Sequence, residues 1–157
     1  MTGSDGHRGD FYLYLSSSDN VQIFTENQPH NFHCVLEDGV FLEGKYECAL
    51  TDICYYSEER INYTLMSRPI YLLTNFVKNS FTPVGNAPIL RRFYLDDFQL
   101  VDSSRNRSYI TIPEYHDVSV TSLSLLRLYI ADSGFKPIQL SQGILGVTLH
   151  FRPKKIE

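Results

Sequence analysis

The sequence has no tryptophan, three alanines (Ala49, Ala87 and Ala131), three cysteines and no long apolar run. Each shortage excludes something. Alanine is the best helix former, so its near absence argues against an all-helical protein and disfavours a nucleotide-binding α/β fold. No uninterrupted apolar stretch reaches the length of a membrane-spanning helix. An odd cysteine count without tight spacing is no disulfide framework, and reduced thiols in an intracellular assembly setting are expected. Residues 1–10 are polar and lack the apolar centre of a signal peptide. Basic charge is also short: the net charge is −4, which argues against a dedicated nucleic-acid binder.

What is present is β-forming. The 157 residues include 11 Tyr and 10 Phe, and with Val, Ile and Thr these make up about a third of the chain. The length suits a single domain. Residues 1–10 read as a flexible lead-in, 11–152 as the folded domain and 153–157 as a short basic tail. Period-two patterning and turn residues predict strands near 11–15, 31–36, 45–55, 60–66, 70–77, 89–95, 108–112, 123–130 and 144–151. Glu37-Asp38-Gly39 is expected to end the second, and 78–88, with Pro83, Gly85 and Pro88, to be a loop. In 45–55, Tyr46, Cys48, Leu50 and Cys54 are expected on one face, and Ile53 and Tyr55 on the other. A phase change between Leu125 and Leu126 predicts a bulge. Eight or nine short strands without a long helix make a β-sandwich or barrel.

No catalytic, cofactor-binding or metal-ligating set stands out. His30, His33 and Cys34 resemble metal ligands in type, but on a strand the two histidines face opposite ways and no fourth ligand accompanies them. Cys48 and Cys54, about 20 Å apart in an extended strand, are expected to be core thiols. His116-Asp117 lacks a nucleophile elbow to complete a triad. Asp96-Asp97 are adjacent and fit a turn. Arg91-Arg92 and Arg105/Arg107 are too sparse for a nucleic-acid groove. The tail, with Arg152, Lys154 and Lys155, is the one segment that suits an acidic partner or a genome. Phosphate-loop and dinucleotide fingerprints are absent. No enzyme is expected. The residues alone lead to a β-sandwich binding or assembly module, rich in aromatics that suit interfaces.

The ordered motifs carry a resemblance. Phe11-Tyr12-Leu13-Tyr14-Leu15-Ser16-Ser17, then Phe24, Asn27, Asn31 and Phe32, then Leu42 to Ile53 resemble the opening of the minor capsid, or penton, proteins of Polinton (Maverick) elements and related virophage- and adintovirus-like small DNA viruses. Ile70 to Asn75, Pro88 to Arg92, Ile112 to Tyr115, Leu128 to Asp132 and Leu149 to Arg152 continue it in the same order. One departure is Tyr46, where many members have tryptophan. The resemblance implies a single jelly-roll β-sandwich of two four-stranded antiparallel sheets, ordered BIDG and CHEF. It implies homopentamers at the five-fold vertices of an icosahedral virion, within a shell of double jelly-roll major capsid protein, with no cofactor. Still open beside it are a lectin-like ligand- or receptor-binding module and a domesticated host protein derived from such a capsid protein.

Overall fold

The computed structural model describes residues 6–56, 69–94, 99–102, 105–109, 112–140 and 143–155. The expected strand at 60–66 and the Asp96-Asp97 turn lie outside them. Along the chain run β1 (Phe11–Ser16), β2 (Asn31–Phe41), β3 (Tyr46–Tyr56), β4 (Pro69–Thr74), β5 (Ser80–Thr82), β6 (Gly85–Ala87), β7 (Ile89–Tyr94), β8 (Gln99–Asp102), β9 (Arg105–Tyr109), β10 (His116–Asp117), β11 (Ser122–Ala131) and β12 (Ile144–Pro153).

Two antiparallel sheets form a sandwich. One has the order β2-β11-β4-β7. The other has the order β1-β12-β3-β9-β8, with β10 pairing the start of β3. β1 to β4 alternate between the sheets, β7 stays in the sheet of β4, β8 to β10 lie in the other, and β11 and β12 fall one in each, the path of a jelly roll. The run β1-β12-β3-β9 in the sheet of β1 and the four strands of the partner sheet reproduce the BIDG and CHEF orders. The additions are β8 and β10 on the first sheet, and a separate β5–β6 hairpin.

The core lies between the sheets. Phe32, Leu50, Ile53, Leu72, Leu90, Leu128, Leu149 and Phe151 are at most 1% exposed. Burying each such side chain contributes about 1.5–3 kcal/mol. A ring cluster closes one end: Phe151 stacks on Phe11 at 4.9 Å and tilts against Phe76 at 5.8 Å.

The structure corrects the facing of β3. Its partner register skips a residue, with Leu149 opposite Leu50 and Thr148 opposite Asp52. Thr51 is therefore extra, and its hydroxyl donates to the Thr148 carbonyl at 3.1 Å. After this bulge the phase reverses, so Ile53 and Tyr55 join Tyr46, Cys48 and Leu50 in the core while Cys54 turns to the opposite face. Cys48 and Cys54 do not share a face.

Four other expectations shift. β2 does not end at Glu37-Asp38-Gly39; the strand runs on to Phe41. Gly39 takes a φ of 66°, a conformation that favours glycine. The expected phase change in β11 is present one step earlier, with the register irregular between Leu123 and Leu125 and Leu125 exposed. The strand expected over 70–77 stops at Thr74. There the Asn75 side chain accepts from Arg127 N at 3.0 Å and donates to the Leu125 carbonyl at 3.1 Å, standing in for the ladder. The strand near 108–112 begins earlier, at Arg105.

Candidate assembly surface

The first described residues, through His7 and Leu42, and the segment after β12, through Lys154 and Lys45, both meet the β2–β3 turn at one end of the sandwich. The N-terminal segment is tied down there. His7 N donates to the Phe41 carbonyl at 2.6 Å, and Glu43 N donates to the His7 carbonyl at 3.0 Å. Tyr46 is buried in β3, and its hydroxyl lies 2.9 Å from the His7 carbonyl and 2.8 Å from the Gly9 carbonyl. Tyr46 thus fills an aromatic core position and anchors residues 7–9 with its polar tip. Tyr46→Phe is expected to cost about 1 kcal/mol, the worth of an ordinary hydrogen bond, and to speed amide exchange in residues 7–10. Urea denaturation and hydrogen exchange would check it; unchanged exchange there would show that the hydroxyl does not hold the segment.

Next to this anchor the outer face of the β1–β12–β3 sheet carries a connected aromatic and ionic group. His150 Nε2 donates to Asp10 Oδ2 at 3.1 Å, which leaves Nδ1 to accept the Tyr115 hydroxyl at 2.7 Å. Tyr12 stacks on the His150 ring at 4.5 Å. The Arg152 guanidinium lies 3.4 Å from the Tyr115 ring centre and pairs with Glu47 at 3.1 Å. Beyond it, Lys154 Nζ is 2.7 Å and Lys78 Nζ 3.8 Å from the Asp117 carboxylate.

Two of these carboxyls sit below their usual range. The hydrogen bond from His150 is the main cause for Asp10, and the hydrogen bond from Lys154 for Asp117. A depressed carboxylate stabilises the fold above its unfolded pKa, near 3.9, and this is lost as pH falls through the lowered folded value. Both links are therefore expected to hold at pH 5 and to fail only below the ordinary carboxylate range. A carboxyl NMR titration would read this; an Asp10 midpoint at or above 3.9 would contradict it.

The flanks expose apolar groups. Tyr12 and Tyr14 point outward from β1, an edge strand, at 64% and 61% exposure. The β5–β6 hairpin joins the end of β4 to the start of β7 and exposes Phe81 at 88% together with Val84. A cleft of about 350 Å³ opens between the β1–β2 connection and β2, lined in part by Ile23, Phe24 and His33. The hairpin lies in the stretch expected to be a loop, where Pro83 and Gly85 punctuate a sequence with little alternation. Phe81 was visible only as an aromatic among many.

The residues singled out for chemistry are dispersed. His30 Nδ1 accepts from Leu140 N at 3.0 Å, His33 tilts against Phe24 outside the core, and Cys34 points inward with its thiol 3.6 Å from the Ser16 carbonyl. His116 and Asp117 pair with β3, and Asp117 is engaged by lysines. Arg91 donates to the Ile112 carbonyl and lies 3.5 Å from Glu114, while Arg92 donates to the Tyr94 hydroxyl. The side chains of Arg105 and Arg107 lie outside the described structure. The three thiols are buried; burial pushes Cys34 up to about 11 and Cys48 well above the ordinary thiol value. In the native protein a thiol reagent is expected to react with them only as fast as the protein opens, and all three should react at once in denaturant. Prompt labelling of Cys34 or Cys48 in the folded state would show that the core around them is open.

With this geometry in view, comparison with solved structures is informative. The crystal structure of the selenomethionine-labelled mavirus penton protein matches with a TM-score of 0.55 over 91% of this chain and 99% of that chain, at 7% sequence identity. The chain has the fold of a penton protein. No protein-family model matches the sequence, and no curated protein does. At such identity the likeness rests on the path of the backbone, and it covers nearly the whole of both chains. The match is to a jelly roll, the fold that the order of the strands in the two sheets describes.

Proposed function

We propose that this chain is a minor capsid protein that forms homopentamers at the five-fold vertices of an icosahedral virion, in a shell of double jelly-roll major capsid protein. The observation that carries the proposal is the match to the mavirus penton protein along almost the full length of both chains. The ordered motifs from Phe11 to Arg152 support a source among Polinton-like elements and their viral relatives. A five-fold ring needs a heterologous contact, in which one patch meets a different patch on the neighbour. Exposed aromatic groups at two separate places, Tyr14 on β1 and Phe81 on the β5–β6 hairpin, suit such a contact.

Native mass spectrometry and electron microscopy of the purified protein, alone and co-expressed with the major capsid protein, test the proposal. The expected species is a ring of about 90 kDa, five times the 18.1 kDa chain, and five-fold density at particle vertices. A protein that stays monomeric at high concentration and is missing from assembled particles would overturn it.

A further inference from the structure

The chain is acidic as a whole, but the fold sorts its charge. Lys45, Lys78, Arg152, Lys154 and Lys155 come from the β2–β3 turn, the segment after β4 and the end of β12. The structure gathers them at the end of the sandwich that holds the β2–β3 turn. Lys154 and Lys78 face Asp117 directly, and Lys45 is close enough to lower that carboxyl further. Lys154 N also donates to the Lys45 carbonyl at 2.8 Å. Among the described residues there, five cations meet two carboxylates, Glu47 and Asp117, an excess of three. Adding the adjoining Arg8, Glu43 and Asp10 lowers the excess to two, in a chain of net charge −4. The rest of the molecule therefore carries −6.

The basic cluster adjoins an aromatic platform. Arg152 links them, because its guanidinium covers the Tyr115 ring while Tyr115 and Tyr12 both contact His150. Tyr12 leaves most of its surface open to solvent. Lysine point charges beside an open aromatic face match a sugar-phosphate backbone with unstacked bases. An acidic peptide would use the charges and leave the ring unused.

We infer that this end of the sandwich binds single-stranded nucleic acid without sequence preference. Lys45, Lys78 and Lys155 neutralise phosphates, and Tyr12 stacks a base. The inference goes beyond the capsid proposal and does not depend on ring formation.

Fluorescence anisotropy with a short labelled oligothymidylate, on the full chain, tests it. Three phosphate contacts on a single strand give a salt slope of about −2, an affinity loss of roughly 20-fold between 50 and 200 mM salt. The combined Lys45→Gln, Lys78→Gln and Lys155→Gln variant keeps the Lys154–Asp117 pair and should lose that slope and at least about ten-fold in affinity at 50 mM salt. Tyr12→Ala should weaken binding about ten-fold with the slope unchanged. Lys136→Gln, in the β11–β12 loop at the other end, should change nothing. Thermal melts establish that each variant is folded. Absence of binding at 50 mM salt, equal binding by the lysine variant, or unchanged affinity in Tyr12→Ala overturns the inference. So does tighter binding of polyglutamate or of anionic phospholipid vesicles, which would assign the patch to another partner. Ring formation is scored separately, so a pentamer that ignores nucleic acid overturns this inference alone.

Discussion

Leu149→Asp is expected to abolish folding. Leu149 is fully buried in β12, opposite Leu13 of β1 and Leu50 of β3. Removing a buried leucine already costs about 2–5 kcal/mol. A carboxylate there must either stay charged in an apolar site or take up a proton. The total rivals the 5–15 kcal/mol that holds a typical domain together. The variant should accumulate as insoluble protein, or as a chain without a cooperative thermal transition. Leu149→Met conserves volume, should cost under about 1.5 kcal/mol, and should stay soluble with a small drop in melting temperature. A soluble Leu149→Asp protein with native circular dichroism would mean that the inward face of β12 is wrongly assigned.

Two single-residue deletions in β3 should differ sharply. Thr51 is the bulged residue, so its deletion leaves Tyr46, Cys48, Leu50, Ile53 and Tyr55 in strict alternation, all facing the core. The loss is the Thr51 hydroxyl bond to Thr148 and some local twist, about 1–2 kcal/mol. Deleting Ala49 instead drives Leu50 outward and Thr51 inward, because one step reverses every facing until the bulge. That exchange sacrifices a fully buried leucine and buries a hydroxyl, with an expected cost of at least about 4 kcal/mol. Urea denaturation of the two deletion variants decides the matter. Equal destabilisation would show that the register slip is not absorbed at Thr51.

The β3 case also shows how far sequence reasoning reaches. The period-two signal in 45–55 was strong enough to name a strand, and the alternation in Leu145, Val147, Leu149 and Phe151 was matched residue by residue in the buried face of β12. A bulge leaves no mark when both candidate faces are apolar. Cys54 and Ile53 read equally well as core, and only pairing with β12 chose between them. In β11 the same kind of irregularity was legible, because Ser124 and Leu125 interrupt a clean alternation and Leu125 is left exposed. The β5–β6 hairpin was not legible: three-residue strands with one exposed aromatic give no periodicity to detect.

The candidate surfaces divide in the same way. Tyr12 and Tyr14 could be placed on one face of β1 from their spacing, yet core and exposed aromatics look alike in a sequence. The hydrogen-bonded run from Asp10 through His150 to Tyr115 joins residues 140 and 35 positions apart, and no local pattern announces it.

By itself the sequence determined the class of the protein: a single β-rich domain, short of helix formers, with its strands in an order that resembles a penton jelly roll. Alternation and composition act locally, so they survive without the fold. The tertiary structure alone decided which faces are buried after a bulge, which aromatics stay in solvent, and where the charge goes. Net charge is a sum that ignores position. Lys45, Lys78 and Lys154 become one basic pole only because the β2–β3 turn, the segment after β4 and the end of β12 meet at the same end of the sandwich.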